Sequence, residues 1–184
     1  MAAAPYRPAR DDNAAWASLR APTLPSIASS RHSMADATPY FGIAPFVLGM
    51  SRELARAAAG KPDSVETSND DEGASVETWF YDGGEIELEF DPAPDAKLES
   101  ITAWSAKTTV NGVAIIGCEV GQLQALARQA DIHDLALTDD FADSGQCWQS
   151  EQHGLMFWAA KGKVVNMTIF PRFDDSGEEP QWPE

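Results

Sequence analysis

Phe46-Val-Leu-Gly-Met-Ser-Arg-Glu-Leu-Ala-Arg-Ala-Ala-Ala-Gly60 is a short apolar run, a glycine and then an amphipathic helix. The same wording returns at Ala114-Ile-Ile-Gly-Cys-Glu-Val-Gly-Gln-Leu-Gln-Ala-Leu-Ala127. The echo continues downstream. Trp79-Phe80-Tyr81 is answered by Cys147-Trp148, and Gly84 ahead of Ile86-Glu-Leu-Glu-Phe90 by Gly154 ahead of Leu155-Met-Phe-Trp158. Leu98-Glu-Ser-Ile-Thr-Ala-Trp104 is answered by Val164-Val-Asn-Met-Thr-Ile-Phe170. A long-period internal repeat constrains architecture more than any single motif. The expected fold class is therefore α+β: two tandem helix-plus-antiparallel-sheet repeats, over 40–110 and 111–173, with the helices on one face of a joined curved sheet.

Local signals place the elements. Ser51 suits an N-cap, Glu53 stands in the first turn where the helix dipole favours it, and Gly60 with Pro62 ends the helix. Its apolar stripe is read as Leu54, Ala57 and Ala58; that of the helix at about 119–130 is Val120, Leu123, Leu126 and Ala127. Strands are expected at about 77–82, 85–91, 98–106, 146–151, 154–160 and 163–171. Turns fall at Asp82-Gly83-Gly84, Asp91 to Asp95, Asn111-Gly112 and Lys161-Gly162-Lys163. Residues 63–76 read as an acidic loop, and Asp131 to Asp143 as a loop with a short helical turn. Residues 1–39, rich in Ala, Pro, Ser and Arg, read as an irregular extension, with Met34 as the native start or the first 33 residues dispensable. Residues 174–184 form an acidic tail.

With 29 acidic against 13 basic residues the net charge is −16. Such a field repels nucleic acid and anionic membrane and attracts a basic partner. No apolar run approaches the ~20 residues of a membrane helix, and the N-terminus lacks the apolar core of a secretory signal, so cytoplasmic residence is the expectation. Cys118 and Cys147 are too few for a disulfide scaffold and read as reduced thiols, their pairing left open.

No nucleophile elbow, zinc-protease helix, dinucleotide fingerprint or phosphate loop occurs. His32, His133 and His153 are scattered and are not read as bases or ligands. Asp140, Gly145 and Glu151 have the spacing of a calcium loop, but Ala142 and Ser144 stand where further oxygen ligands are needed. No catalytic residue, metal site or cofactor is expected.

Gly49-Met50-Ser51, the helix to Gly60 and Pro62, Trp79-Phe80-Tyr81, the alternating strand ending Phe90-Asp91, and Leu98 with Ile101 together resemble a known unit. It is the unit of the small outer-membrane barrel-assembly lipoprotein, carried in tandem by the β-lactamase-inhibitor-protein fold. In the second unit Cys118 replaces the methionine and no Gly-x-Pro follows the helix. There is no lipobox, so the lipoprotein role is not implied. The resemblance implies joined sheets whose open face grips an enzyme.

Strand alternation suggests which side chains form that face. Ile86, Leu88, Phe90, Ile101, Ala103, Leu155, Phe157, Ala159, Met167 and Ile169 are assigned to the core. Glu85, Glu87, Glu89, Trp104, Met156, Trp158 and Phe170 are left on the free face as candidate partner-binding residues, and Thr102 and Thr168 are assigned to the same face. Large aromatics beside carboxylates suit a protein interface. The expected function is inhibition of an enzyme, above all by an immunity protein neutralising a cognate toxin with a basic surface. A chaperone-like or assembly adaptor of a secretion or envelope complex is the alternative.

Overall fold

The computed structural model describes residues 35–69, 75–90, 93, 95–141, 144–174 and 179–183. The chain order is β1 (Asp36–Thr38), β2 (Gly42–Ile43), β3 (Phe46–Val47), α1 (Arg52–Ala59), β4 (Ser64–Asn69), β5 (Ser75–Tyr81), β6 (Ile86–Phe90) and β7 (Leu98–Ala103). It continues β8 (Thr109–Val110), β9 (Val113–Ala114), α2 (Val120–Gln129), β10 (Ala136–Asp140), β11 (Gln146–Ser150), β12 (Leu155–Ala160), β13 (Lys163–Ile169), β14 (Arg172–Phe173) and β15 (Pro180–Gln181). The centre is an eight-stranded sheet of order β10-β11-β12-β13-β7-β6-β5-β4. All its pairings are antiparallel.

The expected two-repeat α+β class is corrected. The protein is mostly β, with 48% strand against 16% helix, and its two α-helices span only 8 and 10 residues. The large sheet is not covered by helices alone. A five-stranded sheet, β3-β2-β1-β8-β9, shares the same core. It draws strands from distant parts of the chain, because β1 pairs parallel with β8. Such strands of two or three residues carry too short an apolar alternation to be read from sequence.

Other expectations fail for the same kind of reason. Asp36–Thr38 lies at the middle of the small sheet with Ala37 wholly buried, although it was expected to be irregular; residues 1–34, including Met34, lie outside the described residues. The acidic loop at 63–76 contains β4, and the expected helical turn after Asp131 is instead β10. Both are edge strands with every residue exposed, so neither shows a buried alternation. Their Glu66, Asp139 and Asp140 discourage further strand pairing. The turn from Asp91 to Asp95 lies largely outside the described residues.

The helix signals place both helices, but not every buried side chain. Ser51 Oγ accepts from Leu54 N–H at 3.3 Å, and Gly60, at φ +83°, donates its N–H to Arg56 O. The stripe of α1 is corrected: Leu54 is exposed, as are Ala57 and Ala58, and Ala55 is buried. Arg52 and Arg56 stand over the rings of Phe90 and Trp79, 5.2 and 4.5 Å from the centroids. Their stems and guanidinium planes replace the apolar stripe expected at that contact. In α2, Leu123 and Ala127 are buried, with Val120 and Leu126 packed against the core.

One cluster forms the core. Trp79, Leu88, Ile101, Phe157 and Ile169 of the large sheet meet Ile43, Phe46, Val110 and Leu123. Trp79 and Phe90 are wholly buried with ring centroids 4.9 Å apart. Hairpin turns at Asn111-Gly112 and Lys161-Gly162 keep both residues at positive φ, as the tight connection demands.

Candidate partner-binding face

The outer face of the large sheet is fixed by its register. One residue from each strand lies in a single row: Ala136, Gln149, Met156, Thr168, Thr102, Glu87, Phe80 and Ser64. In β6, Ile86, Leu88 and Phe90 are buried, while Glu87 and Glu89 are only half-buried. In β12, Leu155, Phe157 and Ala159 are buried and Met156 and Trp158 half-buried. The period of two thus sorts the residues as expected.

Glu85, Glu87, Glu89, Trp104, Met156, Trp158 and Phe170 are all half-buried, and none belongs to the core. Glu87 and Met156 lie in the central row, and the other five form two groups on either side of it. Trp158, paired with Cys147 and Asn166, stands at one end with Trp104, whose backbone N–H donates to Glu85 O at 2.9 Å. Glu89 stands at the other, where Ser100 Oγ donates to Glu89 Oε2 at 2.6 Å. Phe170 lies just past β13 at that same end, its N–H bonded to Gly154 O. Thr102 and Thr168 share a hydroxyl hydrogen bond of 2.8 Å between the groups.

Sequence reasoning missed what flanks each group. Phe141 packs on Trp158 at 5.6 Å between ring centroids, and a Cβ on Gly145 would strike the Trp158 ring. Trp104 Nε1 and Asn166 Oδ1 are buried without hydrogen-bond partners. At the other end the acidic tail returns. β15 pairs with β14, and Trp182 then packs against Gly49. The β14–β15 pair borders a cavity of about 230 Å³ lined by Met156, Phe170, Phe173 and Trp182, with Glu89 and Glu99 among its polar groups. Glu99 reaches the cavity because β7 bulges there: Glu89 pairs with Ser100, but Phe90 pairs with Leu98. A tryptophan in an otherwise polar tail was the available signal.

A second polar cluster sits on the turn between β11 and β12. Ser150 Oγ donates to Asp134 Oδ1 at 2.5 Å, and His153 Nδ1 is 2.9 Å from Ser150 Oγ and 3.0 Å from Asp134 Oδ1. The backbone N–H of Gln152 donates to Asp134 Oδ2. Serine and aspartate meet the same ring nitrogen, whereas a nucleophile relay needs one at each. Ser150 is also wholly buried. The cluster is a turn staple. Burial alone would raise the Asp134 carboxyl, but hydrogen bonds from Ser150, Gln152 N–H and His153 hold it below its ordinary value.

Cys118 and Cys147 are free thiols, and burial pushes both up from their ordinary range. Among the described residues no group of three or more His, Cys, Asp or Glu is placed to hold a metal ion. Compared with protein-family models, curated proteins and solved structures, the chain matches none.

Proposed function

We propose that this protein binds and inhibits an enzyme through the outer face of its large sheet, as an immunity protein neutralises a toxin. The observation carrying this reading is the row from Ala136 to Ser64, with Trp104 and Trp158 on one side of it and Glu89 and Phe170 on the other. A half-buried aromatic face flanked by carboxylates offers anchors for affinity and charge for steering. The net charge of −16 favours a basic protein over nucleic acid. The resemblance of the first unit to the one shared by the barrel-assembly lipoprotein and the β-lactamase-inhibitor-protein fold supports a protein-binding role of the inhibitor or the assembly class. Among the described residues no helix is long and apolar enough to cross a membrane; the proposed place of action is the cytoplasm.

Affinity capture from native lysate, with wild type and Trp158→Ala in parallel, tests the reading. The expected result is one small basic enzyme, retained by wild type, depleted by the variant and inactivated at one-to-one stoichiometry. Retention of a larger secretion or envelope complex would favour the adaptor reading. Equal capture by both chains would remove the face from the account.

A further inference from the structure

The cavity under the C-terminal hairpin has a chemistry of its own. Its apolar walls are largely aromatic and thioether, and two carboxylates, Glu89 and Glu99, stand in its lining. No Lys or Arg lines it among the described residues. Glu89 is held in place by Ser100 at 2.6 Å. At about 230 Å³ it falls below the ~300–1,000 Å³ of sites that enclose a whole small-molecule ligand, and suits a single inserted side chain.

We propose, building on the enzyme-binding reading above, that this cavity receives an arginine side chain of the partner protein. An aromatic wall attracts a cation through its ring quadrupole, and the carboxylates supply the counter-charge. The planar guanidinium stacks on a ring face while its edge reaches carboxylate oxygens, which an ammonium cannot do in the same way. Cations already meet rings in this chain: Arg172 lies 4.2 Å from the Tyr40 ring centroid, and Lys97 Nζ lies 5.4 Å from that of Trp182 itself, a contact the arriving guanidinium would share or displace. The acidic body supplies the long-range attraction that brings such a side chain to the site.

The test uses the full chain and a blocked Gly-Arg-Gly peptide, with citrulline and lysine versions and spermidine as further arms. The readout is the indole resonance of Trp182, identified by its loss in Trp182→Phe. The arginine peptide should shift Trp182 and leave Trp79 unmoved, and the citrulline peptide should bind about tenfold more weakly or worse. Glu89→Gln, which keeps the side-chain shape and an acceptor for Ser100, should weaken arginine binding severalfold with unfolding unchanged. Equal binding of citrulline, no effect of Glu89→Gln and Glu99→Gln together, or a shift at Trp158 in place of Trp182 would overturn the proposal. Equal binding of the lysine peptide would overturn the choice of guanidinium, and tighter binding of spermidine the choice of a protein side chain. Arginine binding at Trp182 with partner affinity indifferent to Trp158→Ala would keep the pocket and remove the broader reading.

Discussion

Thr102 and Thr168 face each other where β7 meets β13, their hydroxyl oxygens 2.8 Å apart on the outer face. This contact joins the two halves of the large sheet at the middle of the proposed binding surface. Removing one hydroxyl leaves the other without this partner, at a cost of about 1 kcal/mol; removing both avoids that penalty. Urea unfolding of Thr102→Val, Thr168→Val and the double variant should therefore show a double loss smaller than the sum of the singles. Strict additivity would mean the bond contributes nothing to the seam.

Gly49 has φ +81°, and a Cβ there would stand 2.9 Å from Trp182 side-chain carbons. Gly49→Ala should lower stability by about 1–3 kcal/mol, through backbone strain and displacement of the indole. Tryptophan fluorescence should shift to the red as Trp182 gains water. Adding Trp182→Ala should recover part of the loss, because the clash then disappears. Unchanged emission in Gly49→Ala would contradict the packing of the tail.

The Asp134 carboxyl is held below its ordinary value by Ser150, Gln152 N–H and His153, which together outweigh the opposing effect of burial. A depressed folded value stabilises above the unfolded value of ~3.9 and is lost as pH falls through the folded one. The stability advantage of wild type over Asp134→Asn should thus hold steady near pH 5 and shrink as pH drops below about 4. Thermal unfolding of both chains across that range checks it. A pH-independent difference would show that the carboxylate charge plays no part in the staple.

Much of the large sheet was legible because its interior strands are one-sided. The alternation Ile86-Glu87-Leu88-Glu89-Phe90 can bury only one set, and the register carries that assignment across to Thr102, Thr168 and Met156. The edges were illegible for the opposite reason: β4 and β10 bury nothing and look like polar loops. The small sheet hid in strands of two or three residues. The two helices carry clear cap or stripe signals whereas this second β layer carries none, so the sequence pattern overstates the helical share of the fold. The candidate face was legible as residue types, but not its division into two groups, which depends on Phe141 and the returning Trp182.

Charge reversal on the central row separates steering from contact. Glu87 lies beside Thr102 and Phe80 on the outer face. Glu87→Lys should slow association with the captured partner more than it speeds dissociation, and added salt should slow wild-type association likewise, since surface fields are screened over ~8–10 Å. Stopped-flow or surface-based kinetics read both rates. An unchanged on-rate with no salt dependence would assign the −16 charge to solubility alone.

The affinity of the captured partner for Trp158→Ala, measured beside the unfolding curve of the same variant, bears most directly on the outer face as the binding surface. Trp158 is half-buried there, while Trp79 is wholly enclosed in the core, so the two should behave oppositely. Trp79→Ala should cost about 3–5 kcal/mol of stability. Trp158→Ala should keep cooperative unfolding and weaken binding by about 2 kcal/mol, roughly 30-fold. Wild-type affinity in a folded Trp158→Ala chain, or loss of binding only through unfolding, would contradict it.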